Sequence, residues 1–201
     1  VNSYPVTSIK AGINTFGPRQ WNGAAPEFAV TGPNVGENIG PTTFISGTVG
    51  AAVYAAQHGI PSIAFSGRSG DPTAWNQPTP VYSKVYADLA LKITNTILAS
   101  SKPYLPAHVF LNVNFPTVSS TQCNDASKFK FVLTRVNSGL LSARDVEWCG
   151  TDRLPWEVTT IFRSDCWATI SVGDANDKTT ADAIAQAQVL PKLQPILSCL
   201  P

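Results

Sequence analysis

The spacing of apolar positions changes along this chain, and each change marks an element. After Pro5, the residues Val6, Ile9, Ile13 and Phe16 recur every three or four positions, which predicts a helix from Pro5 to Phe16. Phe28 to Val30 is a short uncharged apolar run, the pattern of a strand buried on both faces. A polar loop with Gly32, Gly36 and Gly40 follows, then an alanine-rich stretch, Gly47 to Gln57, that reads as a helix. Gly59 and Pro61 end that helix, and Pro61 to Ser66 reads as a second buried strand. Strand, glycine loop, helix and strand make a βαβ crossover, with a polar site at the carboxyl end of its first strand.

Beyond Ser66 the pattern continues. Arg68 to Pro80 is a Gly/Pro/Asn/Ser loop. Ser83 to Ala99 reads as a helix, with Val85, Leu89, Ile93 and Ile97 as an i, i+4 stripe and Lys84, Asp88 and Lys92 on another face. Val109 to Phe115 reads as a strand whose Asn112 and Asn114 lie opposite Val113. Phe129 to Val136, Thr159 to Ile161 and Cys166 to Val172 also read as strands, expected as β-ribbons attached to the main sheet. Thr179 is the expected N-cap of a last helix, with Asp182 as its N3 partner and Val189, Leu193 and Leu197 as its apolar stripe; Pro191 should bend or break it. The expected class is α/β: a Rossmann-like, mostly parallel sheet flanked by helices, with β-ribbon and helix additions at the C-terminal end.

Composition narrows the function classes. The 201 residues fit one domain. Charged residues make up only 13%, against the usual quarter, and the formal charge of +1 gives no field to steer nucleic acid. No apolar run reaches the length of a membrane span. The four cysteines, Cys123, Cys149, Cys166 and Cys199, form no C-x-x-C pair and have no neighbouring histidine, so a zinc site is disfavoured. Even cysteine count and low charge point to a secreted, oxidised protein. Neighbouring pairs close the shorter loops, which favours Cys123–Cys149 and Cys166–Cys199.

Three chemistries compete for the glycine loop. A dinucleotide site is disfavoured, because the glycines fall four apart rather than as G-x-G-x-x-G. Ser46-Gly47-Thr48 before small residues resembles the nucleophile segment of subtilisin-like proteases, but neither His58 nor His108 sits in a partner motif. An anion site at the start of the helix is the third reading, since the first N–H groups of a helix have no partner within it. Ser66, Arg68 and Ser69 follow the second strand at the ligand-binding edge of such sheets, which makes them candidate substrate contacts.

The order of residues in three blocks is similar to one family. Thr31-Gly32-Pro33-Asn34-Val35-Gly36-Glu37-Asn38-Ile39-Gly40, Ser46-Gly47-Thr48-Val49-Gly50-Ala51-Ala52 and Ile60-Pro61-Ser62-Ile63-Ala64-Phe65-Ser66 resemble the SurE family of survival-protein-type metal-dependent phosphatases and nucleotidases. Leu111-Asn112-Val113-Asn114-Phe115-Pro116 is also similar. The resemblance implies one SurE-like α/β domain over residues 1–201, in the manner of fungal secreted acid phosphatases. It implies hydrolysis of a phosphate monoester or nucleotide, with a divalent metal, Mg or Mn, polarising the phosphoryl group and lowering the pKa of an attacking water. Asn34 is then a metal ligand, Asn38 and Ser46 are catalytic, and Asn38, Ser46, Gly47 and Thr48 bind the phosphate. A homodimer or larger assembly is implied as well.

The departures matter as much. Family members open with an apolar strand ending in Asn-Asp-Asp-Gly, whose carboxylates hold the metal; no Asp-Asp pair occurs here. At least one strand–helix unit of the family domain is therefore expected to lie upstream of Val1, in a precursor or as an associated N-terminal segment, with metal binding weak or absent without it. Tyr4 precedes Pro5 where bacterial members have a Gly-Thr-Pro loop. The histidine that many members carry before an Asp-x-Thr element is missing at Gly173-Asp174, so no catalytic histidine is assigned. The rival expectation is a non-catalytic binding or structural relative that kept the fold and lost the acid ligands.

Overall fold

A computed structural model describes residues 2–140 and 142–201. The five strands are β1 (Ala29–Val35), β2 (Ser62–Gly67), β3 (Val109–Phe115), β4 (Lys130–Thr134) and β5 (Trp167–Asp174). They form one sheet in the order β1-β2-β3-β5-β4. β1, β2 and β3 run parallel; β5 is antiparallel to β3, and β4 is parallel to β5. The helices are α1 (Pro5–Ala11), α2 (Gly17–Gln20), α3 (Gly47–Gln57), α4 (Val81–Leu98), α5 (Glu157–Ile161) and α6 (Ala183–Leu193), with a π-helical stretch, Gly12–Phe16, joining α1 to α2. The expected α/β class and βαβ crossover are both present.

One face of the sheet carries the main core. Ile63 and Phe65 of β2, Leu111 and Val113 of β3 and Ile170 and Val172 of β5 pack with Leu89, Ile93 and Ile97 of α4 and with Val189 and Leu193 of α6. Each of these fully buried aliphatic side chains contributes on the order of 1.5–3 kcal/mol. The other face is divided along the strands. At its amino half, Ala64 and Phe110 meet Val49, Ala52, Val53 and Ala56 of α3. At its carboxyl half it turns polar: Ser66 stands beside Asn114, Asn114 beside Thr169, and Asn112 beside Ser171, which in turn neighbours Thr134. All six side chains are buried. The period-2 alternation of β2 and β3 therefore delivers a buried polar layer to one end of one face.

Five expectations need correction. The C-terminal strands do not form ribbons; β4 and β5 complete the main sheet. Thr159 to Ile161 belongs to α5, where the hydroxyls of Thr159 and Thr160 donate back to the Trp156 carbonyl and stabilise a helical turn despite β-branching. The last helix starts later: Asp182 is its N-cap, accepting from Ala185 N, while Thr179 is held in a turn by Asp177. The strand at Phe28 to Val30 is not buried on both faces. It runs from Ala29 to Val35 as the sheet edge, with Val30 48% and Val35 61% exposed. The disulfides are Cys123–Cys166 and Cys149–Cys199, with Cα atoms 5.5 and 5.7 Å apart. Loop length did not choose them; strand pairing did. β4 and β5 lie side by side, with Lys130 N donating to Cys166 O, so the segment entering β4 meets the residue preceding β5. The end of the chain pairs beside β4 at Phe131 and carries Cys199 to Cys149.

Candidate functional site

β1 is interrupted midway by an abrupt irregularity. Gly32 has φ +87°, and a Cβ there would collide with the Phe65 carbonyl oxygen, so only glycine lets the strand pass this close to β2. The Gly32–Pro33 peptide is cis, and the register with β2 shifts between Thr31 and Asn34. That shift re-aims the Asn34 side chain. Its Nδ2 donates to the carbonyls of Val35 (3.0 Å) and Gly36 (2.9 Å). Its Oδ1 accepts from Asn38 Nδ2 at 2.7 Å and from Ser66 Oγ at 2.9 Å. Asn38 Nδ2 also donates to Ser66 Oγ. Asn34, Asn38 and Ser66 thus form a closed triangle at the carboxyl ends of two parallel strands.

The loop is pinned from beneath by the polar layer. Asn38 N donates to Asn114 Oδ1 at 2.8 Å, and Asn38 O accepts from Asn112 Nδ2 at 2.7 Å and Asn114 Nδ2 at 3.2 Å. Gly40 N donates to Glu157 Oε1 at 2.9 Å. Glu157 Oε2 accepts from Ser171 Oγ at 2.7 Å and from Asn112 Nδ2 at 3.1 Å. Glu157 is completely buried, and that burial pushes its carboxyl up to about 7; the hydrogen bonds from Ser171, Gly40 and Asn112 oppose the shift.

The expected phosphate cradle lies at the start of α3. Ser46 is its N-cap and accepts from Val49 N at 3.1 Å. Gly47 packs beneath Pro5 of α1, where a Cβ would come to 3.0 Å of the ring. Thr48 is tied to β1 through Thr31 Oγ1, 3.0 Å from its carbonyl. Beside them an open cavity of about 480 Å³, bordered by Pro5, Ile9, Ile13, Phe28, Thr31 and Thr48, faces β1, whose other side carries no strand among the described residues.

The other expected contacts separate. Ser66 is inside the triangle. Ser69 instead holds the loop after β2, donating to Val118 O and accepting from Val118 N, while its own N donates to Tyr86 Oη. Arg68 stacks on Phe162, 4.2 Å from the ring centroid, and lies 3.6 Å from Glu37. Asn114 is a core amide bonded to backbone, and that backbone belongs to the loop itself. Glu157 escaped the sequence reading: a lone glutamate beside Trp156 gives no signal until the fold buries it.

A hard divalent cation wants about six oxygen ligands, with carboxylates to offset its dehydration. Among the described residues no cluster of three His, Cys, Asp or Glu could hold one. Asn34 offers a single amide oxygen that already accepts two hydrogen bonds. Asp174 closes β5 opposite Val109, at the amino end of β3, the wrong end of the sheet. The residues present do not by themselves fit a complete metal site.

Comparison with known proteins agrees with this architecture. Residues 1–139 match the family described as Survival protein SurE. The chain is 33% identical over 119 residues to a 5'-nucleotidase SurE of Lawsonia intracellularis, covering 59% of this chain and 41% of that protein. It is 28% identical over 216 residues to an acid phosphatase of Yarrowia lipolytica, covering 92% of this chain and 60% of that one. The chain thus spans roughly half the length of these curated relatives. The crystal structure of the SurE protein from Aquifex aeolicus superposes with a TM-score of 0.55 at 19% identity, covering 87% of this chain and 68% of that one, a likeness of fold.

Proposed function

Since the chain belongs to the SurE family, we propose that it forms the greater part of a divalent-metal-dependent phosphomonoesterase of nucleotidase or acid phosphatase type. The observation that carries this reading is the Asn34–Asn38–Ser66 triangle, built on a pinned loop at the carboxyl ends of parallel strands, where open α/β sheets bind their ligands. Asn38 donates to a phosphate oxygen through its amide once substrate replaces one of the two contacts, to Asn34 and Ser66, that its hydrogens make here. Asn34 would offer its carbonyl oxygen, in place of the hydrogen bonds it accepts here from Asn38 and Ser66, as one ligand of a cation whose carboxylates would come from residues outside these 201. Ser46, Gly47 and Thr48 contribute the positive end of α3, with backbone N–H groups stabilising phosphate charge. Arg68, held over Phe162, stands as a substrate contact beyond the loop.

The cavity along β1 supports the origin of the missing carboxylates. A strand of a parallel sheet is ordinarily covered on both faces. Here β1 has no second partner strand among the described residues, and its half-exposed Val30 lines an apolar cavity, the setting for a further strand from an upstream or associated segment. Two disulfides within a weakly charged chain support secretion, and no helix among the described residues is long and apolar enough to cross a membrane. A homodimer or larger assembly completes the proposal.

The test is substitution of the triangle in the longest natural form of the protein. Asn38→Ala should lower kcat for p-nitrophenyl phosphate by about 100-fold, the scale of losing one preorganised donor. Asn34→Ala should raise the metal concentration needed for half-maximal rate. Wild-type rates in both would remove the triangle from the active site, and absence of phosphatase activity in the wild-type protein would favour the non-catalytic rival.

A further inference from the structure

We propose that Glu157 is a positioning residue: its buried carboxyl clamps the loop from Gly36 to Gly40 against the sheet and thereby aims the Asn38 amide at the substrate phosphate. The inference rests on the phosphomonoesterase reading for its last step, while the clamp itself stands on geometry.

A buried carboxyl without a cation partner destabilises the fold relative to an apolar side chain of similar size, so its presence calls for a reason in its contacts. Two of its three donors lead toward the loop. Oε1 takes the N–H of Gly40. Oε2 takes the amide of Asn112, whose other hydrogen goes to the carbonyl of Asn38. Ser171 supplies the third donor and is itself 2.7 Å from Thr134, so α5, β3, β4 and β5 all converge on one carboxyl. The Asn38 peptide is consequently held at its N–H by Asn114 and at its carbonyl by Asn112 and Asn114, and the next peptide but one is held by Glu157. Only the Asn38 side chain is left to swing, and Asn34 and Ser66 hold that.

The groups facing Glu157 are neutral: Gly40 from the loop, Asn112 from β3 and Ser171 from β5. Arg135, whose carbonyl accepts from Glu157 N, turns its guanidinium to Asp145 at 2.7 Å. The clamp is thus isolated from the ion pairs of the protein. Losing it would free the loop without opening the core beneath β2 and β3.

Two measurements separate the clamp from the reading it rests on. The first uses the 201-residue chain and amide hydrogen exchange by NMR. Glu157→Leu should speed exchange at Gly40 and Asn38 by at least 10-fold while the amides of β2 and β3 keep their protection. In the wild type the Gly40 amide resonance should also titrate near pH 7, and Glu157→Gln should abolish that titration. Unchanged exchange at Gly40 and Asn38 in Glu157→Leu, or in Glu157→Ala should the leucine variant not fold, would overturn the clamp whatever the function.

The second uses the longest natural form with p-nitrophenyl phosphate. Glu157→Gln should lower kcat by about 10–100-fold, the scale of a misplaced contact, with KM changing less than threefold. Wild-type kcat in a variant whose loop exchanges faster would overturn the positioning role and leave only a structural one. No phosphatase activity in the wild type, with the exchange result intact, would sink the functional reading and spare the clamp.

Discussion

Asn114 and the peptide of Asn38 form a reciprocal pair across 76 residues of sequence: the Asn114 carbonyl oxygen accepts Asn38 N–H at 2.8 Å, and its amide donates to Asn38 O at 3.2 Å. One strand side chain therefore satisfies both polar groups of a buried loop residue. Asn114→Leu should destabilise the protein by about 1–3 kcal/mol, the cost of stranding a buried donor, although the new side chain is more apolar. Chemical denaturation measures it. A variant as stable as wild type would mean that the pair carries no net stability.

Ser46 is a cap before it is anything chemical. Its Oγ accepts from Val49 N, and it precedes eleven residues of helix. Ser46→Ala should lower stability by about 1 kcal/mol and leave most of any phosphatase activity, because backbone N–H groups remain at the helix start. Complete inactivation, or a covalent adduct of Ser46 with a fluorophosphonate, would instead make it a nucleophile.

The buried carboxyl sets a pH dependence whose sign is fixed. Glu157 is raised from 4.5 to about 7 in the folded chain by burial. Between those values the folded state holds a proton that the unfolded state has released, so stability falls as pH rises. The contribution is fully present below pH 4.5 and lost as pH climbs to about 7, amounting to roughly 3 kcal/mol at 1.36 kcal/mol per unit. Denaturation midpoints recorded across this window should decline in the wild type and flatten in Glu157→Gln. A flat wild-type profile would mean that the carboxyl is ionised throughout.

Much of this architecture is legible in the sequence because local signals agree with it. The i, i+4 stripe of α4, the glycine and proline that end α3, and the apolar runs of β2 and β3 each point to the element that forms. The turn that carries Asn34 and Asn38 is legible from its glycines, while the roles expected of the two amides rest on the family resemblance. What escaped depends on long-range packing. Thr159 to Ile161 has strand-like composition, yet Trp156 supplies the carbonyl that turns it helical. Cysteine spacing is silent about which strands lie together, and so about which sulfurs meet. Glu157 and the loop it holds are 117 residues apart, and no periodicity connects them.

The central claim is that these residues hold the phosphate half of a site whose acid ligands come from elsewhere. It is tested most directly by assaying p-nitrophenyl phosphate hydrolysis, with Mg²⁺ or Mn²⁺, on the 201-residue chain shown by intact mass to be free of longer forms. The account predicts no metal-dependent turnover from the chain alone. Turnover should appear when a segment carrying the family's apolar strand and Asn-Asp-Asp-Gly turn is added as a separate polypeptide, and Asn34→Ala should diminish it. Metal-dependent turnover by the chain alone would contradict the account, since a carboxylate of these 201 residues would then be supplying the ligands assigned to the added segment.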